Sequence, residues 1–159
     1  MWQDLYDHME WADAIVWRAV LGSSAAKDDK RIADLLLHLH MTQRAFLAIW
    51  RKQELKFPDR ASMTVEQIAQ YGREYHQQVA PCLETLDTTT LDDEMVMPWA
   101  KRFRADAAAT RMRDTLLQVP MHSTYHRGQV NARLRELGAE PPLTDSIAWI
   151  WIGRPRAEW

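Results

Sequence analysis

Two histidines four residues apart, His122 and His126, are the residues of this chain best placed to do chemistry. On a helix, side chains at i and i+4 project from one face a turn apart, so two imidazoles at this spacing can share one metal ion. Imidazole suits zinc, nickel, copper and iron. Two neutral ligands from one helix hold an ion poorly, so at least one more must arrive from elsewhere in the fold. The candidates are His8, His38, His40 and His76. At about 100° per residue, His38 and His40 fall on opposite flanks of one helical stripe, so at most one of them joins a shared site; periodicity does not say which. His76 projects inward, either as a rival ligand or as a hydrogen-bonded core histidine. His8 lies at a stripe edge and reads as solvated. Cys82 is the only cysteine, which excludes an intrachain disulfide and a thiolate cluster built by this chain alone.

These histidines need helices to hold them, and the apolar residues supply four helical stripes. Trp2, Leu5, Tyr6, Met9, Ala12, Val16, Ala19 and Val20 recur at three-and-four spacing and predict a first helix ending near Gly22. Ile32, Leu35, Leu36, Leu39, Phe46, Ile49 and Trp50 predict a second, entered through Asp28 or Asp29 and stopped before Pro58. Val65 to Leu86 carries a third, with Thr64 and Gln67 at capping-box positions and Pro81 as a kink. Leu116 to Leu137 carries a fourth, ended by Gly138 and the Pro141-Pro142 pair. The mixed, polar stretch 88–109 reads as a long crossover between the third and fourth helices, with room for a short hairpin. Thr144 is placed to cap a short C-terminal helix, whose Ile147, Trp149, Ile150 and Ile152 call for packing on the bundle or on a second subunit. The expected fold is all-α, one domain over residues 1–159.

Three polar residues interrupt these stripes: Asp13, Gln43 and Arg127. A lone buried charge is costly, so Asp13 and Arg127 are expected to pair inside the bundle, with Gln43 satisfying leftover donors. Gly128 weakens a helix interior by about 1 kcal/mol relative to alanine, which a close backbone approach would explain.

Twenty basic against 22 acidic residues give a formal charge of −2, which recommends neither a nucleic acid nor an anionic membrane as partner. No apolar run reaches the roughly 20 residues that span a bilayer, and the first ten lack the order of a secretory signal. The expected address is the cytoplasm.

The run HSTYHRGQV, His122 to Val130, resembles the helix-four signature of the DinB/YfiT-like metal-binding four-helix bundles, two histidines four apart followed by Arg-Gly-Gln. LLLHLHMTQRAFLAIW from Leu35 is similar to that family's helix two, a register that selects His38 and leaves His40 outside the site. Trp11-Ala12-Asp13 resembles its Trp-Ala-Asn, with aspartate in place of the commoner asparagine, and Pro120 departs from a regular helix just before His122. The resemblance implies a divalent metal (zinc, nickel or iron) on His38, His122 and His126, an exchangeable water and a homodimer. Some relatives are thiol-dependent S-transferases or isomerases using low-molecular-weight thiols. The expected function is therefore a metal-dependent thiol transferase or hydrolase acting on a small molecule, against a non-catalytic metal-binding or stress-response bundle, or a bundle that has lost its function.

Overall fold

The computed structural model describes residues 1–159, the side chain of Arg60 excepted. Its helices are α1 (Trp2–Leu21), α2 (Ser24–Lys27), α3 (Lys30–Trp50), α4 (Val65–Glu84), α5 (Ala100–Phe103), α6 (Met112–Glu136) and α7 (Ser146–Trp151). The four long ones, α1, α3, α4 and α6, form an all-α bundle. Each packs on two others, so that α1 stands diagonally from α3 and α4 from α6. The crossover between α4 and α6 makes the second diagonal possible. It includes a two-stranded antiparallel hairpin, β1 (Glu94–Met95) with β2 (Thr110–Arg111), in the register Glu94 to Arg111 and Met95 to Thr110. Among the described residues, no helix is long and apolar enough to cross a membrane.

Local chemistry sets the helix ends. The Asp29 carboxylate accepts from the Ile32 N–H at 2.9 Å and caps α3, while its other oxygen takes Arg133 of α6 at 2.7 Å. Thr64 and Gln67 close the capping box of α4. Gly138 adopts φ +74°, and the N–H groups of Gly138 and Ala139 return to the carbonyls of Arg135 and Leu134, which terminates α6. α6 starts at Met112, a turn before its apolar stripe, and runs through Pro120. A proline has no N–H for the carbonyl four residues back. That carbonyl, of Leu116, accepts instead from the Tyr6 hydroxyl at 3.0 Å. Pro81 likewise sits inside α4, whose last residue is Glu84.

The interior has three levels. Val16, Trp17, Leu36, Ile68 and Leu134 belong to an apolar cluster toward one end, and Tyr6, Met9, Phe46, Val79 and Val119 to one toward the other. Each such side chain, fully buried, contributes about 1.5–3 kcal/mol. Between them along every long helix lie buried polar residues: Asp13, His40, Gln43, His76, Ser123 and Arg127.

The segment after α6 folds back on the bundle. Trp149 packs on Trp11 and Ala12, and Trp159 donates to Glu10 at 3.2 Å. This overturns the solvated reading of His8, which is buried: its ring lies 5.6 Å from that of Trp149, and its Nε2 donates to the Thr144 carbonyl at 3.0 Å. Thr144 does not cap α7; Asp145 stands at the cap and makes no side-chain bond there.

Candidate metal centre

His38 on α3 and His122 and His126 on α6 converge, each offering a nitrogen within 4.8 Å of those of the other two. The ring centroids of His122 and His126 are 4.3 Å apart, as one helical turn dictates, and His38 lies 5.2 and 4.7 Å from them. His126 is buried, His122 half-buried and His38 exposed, so the cluster lies at the bundle surface and opens to one side.

The donors fit a divalent ion on two counts. Nδ1 of His126 donates to the Gln129 side-chain oxygen at 2.7 Å, which fixes the tautomer and leaves Nε2 as a free lone pair. Nε2 of His122 is shielded from solvent and has no hydrogen-bond partner, a condition that costs about 1–3 kcal/mol and that an ion would relieve. Burial, and then the neighbouring His126 and His38, push the His122 pKa down to about 4, so the ring is neutral and able to act as a ligand. Gln129 entered the sequence reading only as the last residue of the Arg-Gly-Gln run and was given no such role, although an amide three residues after a helical histidine is the signal for this bond.

His40 and His76 stay outside the cluster. His40 is fully buried and accepts from the Trp17 indole N–H at 2.8 Å, so its Nδ1 carries the proton and donates to Gln43 Oε1 at 2.7 Å. Its ring presses on Gly72, where an added Cβ would meet it at 2.3 Å. Burial pushes its pKa down to about 4. His76 Nε2 lies 3.0 Å from Asp13 Oδ2, the hydrogen-bonded core role.

Asp13 and Arg127 pair inside the bundle at 2.6 Å, both almost fully buried. Gln43 donates to Asp13 at 2.8 Å and to Ser123 at 3.1 Å. Its amide N–H groups thus serve acceptors, while the one donor its oxygen satisfies is His40 and not the leftover donor of the ion pair, Arg127 Nε, which has no partner. Burial alone would raise the Asp13 pKa, but the Arg127 charge and the His76 contact outweigh it and hold the carboxyl well below its usual range. Arg127 also donates to Thr124 at 2.8 Å. Asp13, Gln43 and Arg127 thus brace α6 at the turns that carry His122 and His126. Gly128 faces open space, so no close approach accounts for it.

A cleft of about 340 Å³ adjoins the cluster, with His38 and His122 in its lining. The residues that line it from outside the helices, Phe57 and Trp99, had no periodic signal to single them out. A family model described as DinB family matches residues 3–156 of the 159. No curated protein matches the chain.

Proposed function

The chain belongs to the DinB family, and from that premise we propose that it holds one divalent metal ion, zinc, nickel or iron, on His38, His122 and His126 and acts as a metal-dependent thiol S-transferase or a related enzyme on a small molecule. The observation that carries this reading is the convergence of three imidazole nitrogen donors, one of them shielded from solvent without a partner. A divalent ion with three imidazole ligands and an open position supplies Lewis acidity that favours the ionised form of a bound thiol or water. The chain does the rest. Gln129 holds the His126 ring in one tautomer, the Asp13–Arg127 pair fixes α6 against α1, and the adjoining cleft gives a second reactant a place beside the histidines.

Metal content after reconstitution is the first test. The wild-type chain should take up one ion per chain, and His122→Ala should lose it while keeping its helical circular dichroism, because the apolar clusters supply most of the stability. Full metal occupancy in His122→Ala would overturn the ligand set. Turnover of small electrophiles with a low-molecular-weight thiol by the loaded protein then tests the transferase reading.

A non-catalytic metal-binding role is favoured by one observation: the buried carboxylate of Asp13 is fully engaged by Arg127, Gln43 and His76 and is not free to act as a general base. Absence of turnover with the metal in place would select it. We propose a homodimer as the assembly, supported by the exposed Ile147, Ile150, Trp151 and Ile152 near the C-terminus. Sedimentation equilibrium on the wild type and Trp151→Ser tests it, a monomeric wild type being the contrary result.

A further inference from the structure

We infer that the cleft beside the three histidines binds the uncharged, aromatic-sized body of a small molecule whose head group meets those histidines. For the head group this rests on the metal reading above; for the body it rests on the cleft alone.

At about 340 Å³ the cleft lies at the small end of ligand pockets, which run from about 300 to 1,000 Å³. His38 and His122 form one end. Met41 and Phe46 of α3, Phe57 of the loop after it, and Trp99 of the crossover give it apolar and aromatic walls. Trp99 meets the Phe46 ring edge to face at 5.5 Å, which holds the indole against α3. Thr42 and Gln118 supply hydrogen-bonding groups. No described lining residue is an acid, a lysine or an arginine.

Phe57 is 52% exposed, and Phe103, lining a cleft that shares Phe46 and Trp99 with this one, is 93% exposed. Large apolar side chains held in water around a concave site mark a surface that a ligand covers. A carboxylate or phosphate among these walls would lose its hydration with no cation to replace it. A negatively charged atom is accommodated only at the histidine end, next to an ion. The cleft therefore selects a neutral body and leaves a single anionic donor, sulfur or oxygen, for the head.

The test uses the full chain reconstituted with cobalt and titrated with 4-fluorobenzyl mercaptan and with 2-mercaptoethanesulfonate. Cobalt absorption reads sulfur at the metal, and the ¹⁹F linewidth reads the ring. Burial of a phenyl ring should make the aromatic thiol bind at least about tenfold more tightly. The double variant Phe57→Ala/Trp99→Ala lies outside the four long helices and should remove most of that advantage while leaving the affinity for the sulfonate unchanged. Phe57→Ala alone takes its place if the double variant loses helical circular dichroism. Equal affinities in the wild type, or an advantage that survives the substitutions, overturn the inference. Where the protein takes up no cobalt, it is the metal reading that fails, and the cleft is judged by 4-fluorobenzyl alcohol on the metal-free chain. Ring broadening that the variant loses supports the cleft; no broadening overturns it.

Discussion

Asp13 accepts hydrogen bonds from three helices at once, from Gln43 of α3, His76 of α4 and Arg127 of α6. Asp13→Leu should cost about 3–5 kcal/mol in urea denaturation, because it strands a buried guanidinium. Arg127→Met should cost a similar amount by stranding the carboxylate. The double variant should fall clearly short of the sum, and additive costs would show that the two charges are not coupled. Gln129 reaches the three-histidine cluster through one bond only, to His126. Gln129→Leu frees the His126 ring to turn and should weaken zinc affinity about 10–100-fold in a competition titration, with helical content unchanged. An unchanged affinity would mean that packing alone aims the ring.

At the level of the helices, Pro120 and Tyr6 form a matched pair. Tyr6→Phe leaves the buried Leu116 carbonyl without its donor and should cost about 1–3 kcal/mol. In a Pro120→Ala background the residue-120 N–H can serve that carbonyl, so the same substitution should cost less. Equal costs in both backgrounds, measured by chemical denaturation, would break the link. The four long helices, their main caps and the inward positions of Asp13 and Arg127 were legible in the sequence, because a period of 3.6 and a capping side chain are local signals. The helix-four pair was legible from spacing, whereas the choice of His38 over His40 came from the resemblance. What was not legible depends on distant chain. His8 is buried only because the segment around Thr144 and Trp149 returns to cover it. Gln43 could be assigned a donor or an acceptor partner only once the Trp17 indole had fixed the proton on His40.

For the molecule as a whole, buried tyrosines set an alkaline limit. Burial raises the pKa of Tyr6 and of Tyr75 above the ordinary 10.0. Both stay protonated in the fold while the unfolded chain ionises above that value. Their contribution is therefore full below pH 10 and is lost as pH rises beyond it, by about 1.4 kcal/mol per pH unit for each. In the metal-free protein, Tyr6→Phe should remove one such share from the slope of stability against pH above 10. An unaltered slope would place the Tyr6 hydroxyl in contact with water.

The two sides of the cleft stand on unlike ground. The histidines and Phe46 sit on helices that the buried polar layer locks together, since sliding α3 or α6 by one residue would turn its side chains by about 100° and break the bonds to Asp13. Phe57 and Trp99 belong to stretches in which no described residue, from 51 to 64 or from 85 to 111, is buried. Segments with so little interior contact open at a small fraction of the free energy of global unfolding. The fold thus joins an anvil to a hinged door: under the proposed reading a guest would enter and leave by displacement of the aromatic side, while the three imidazoles would keep their station.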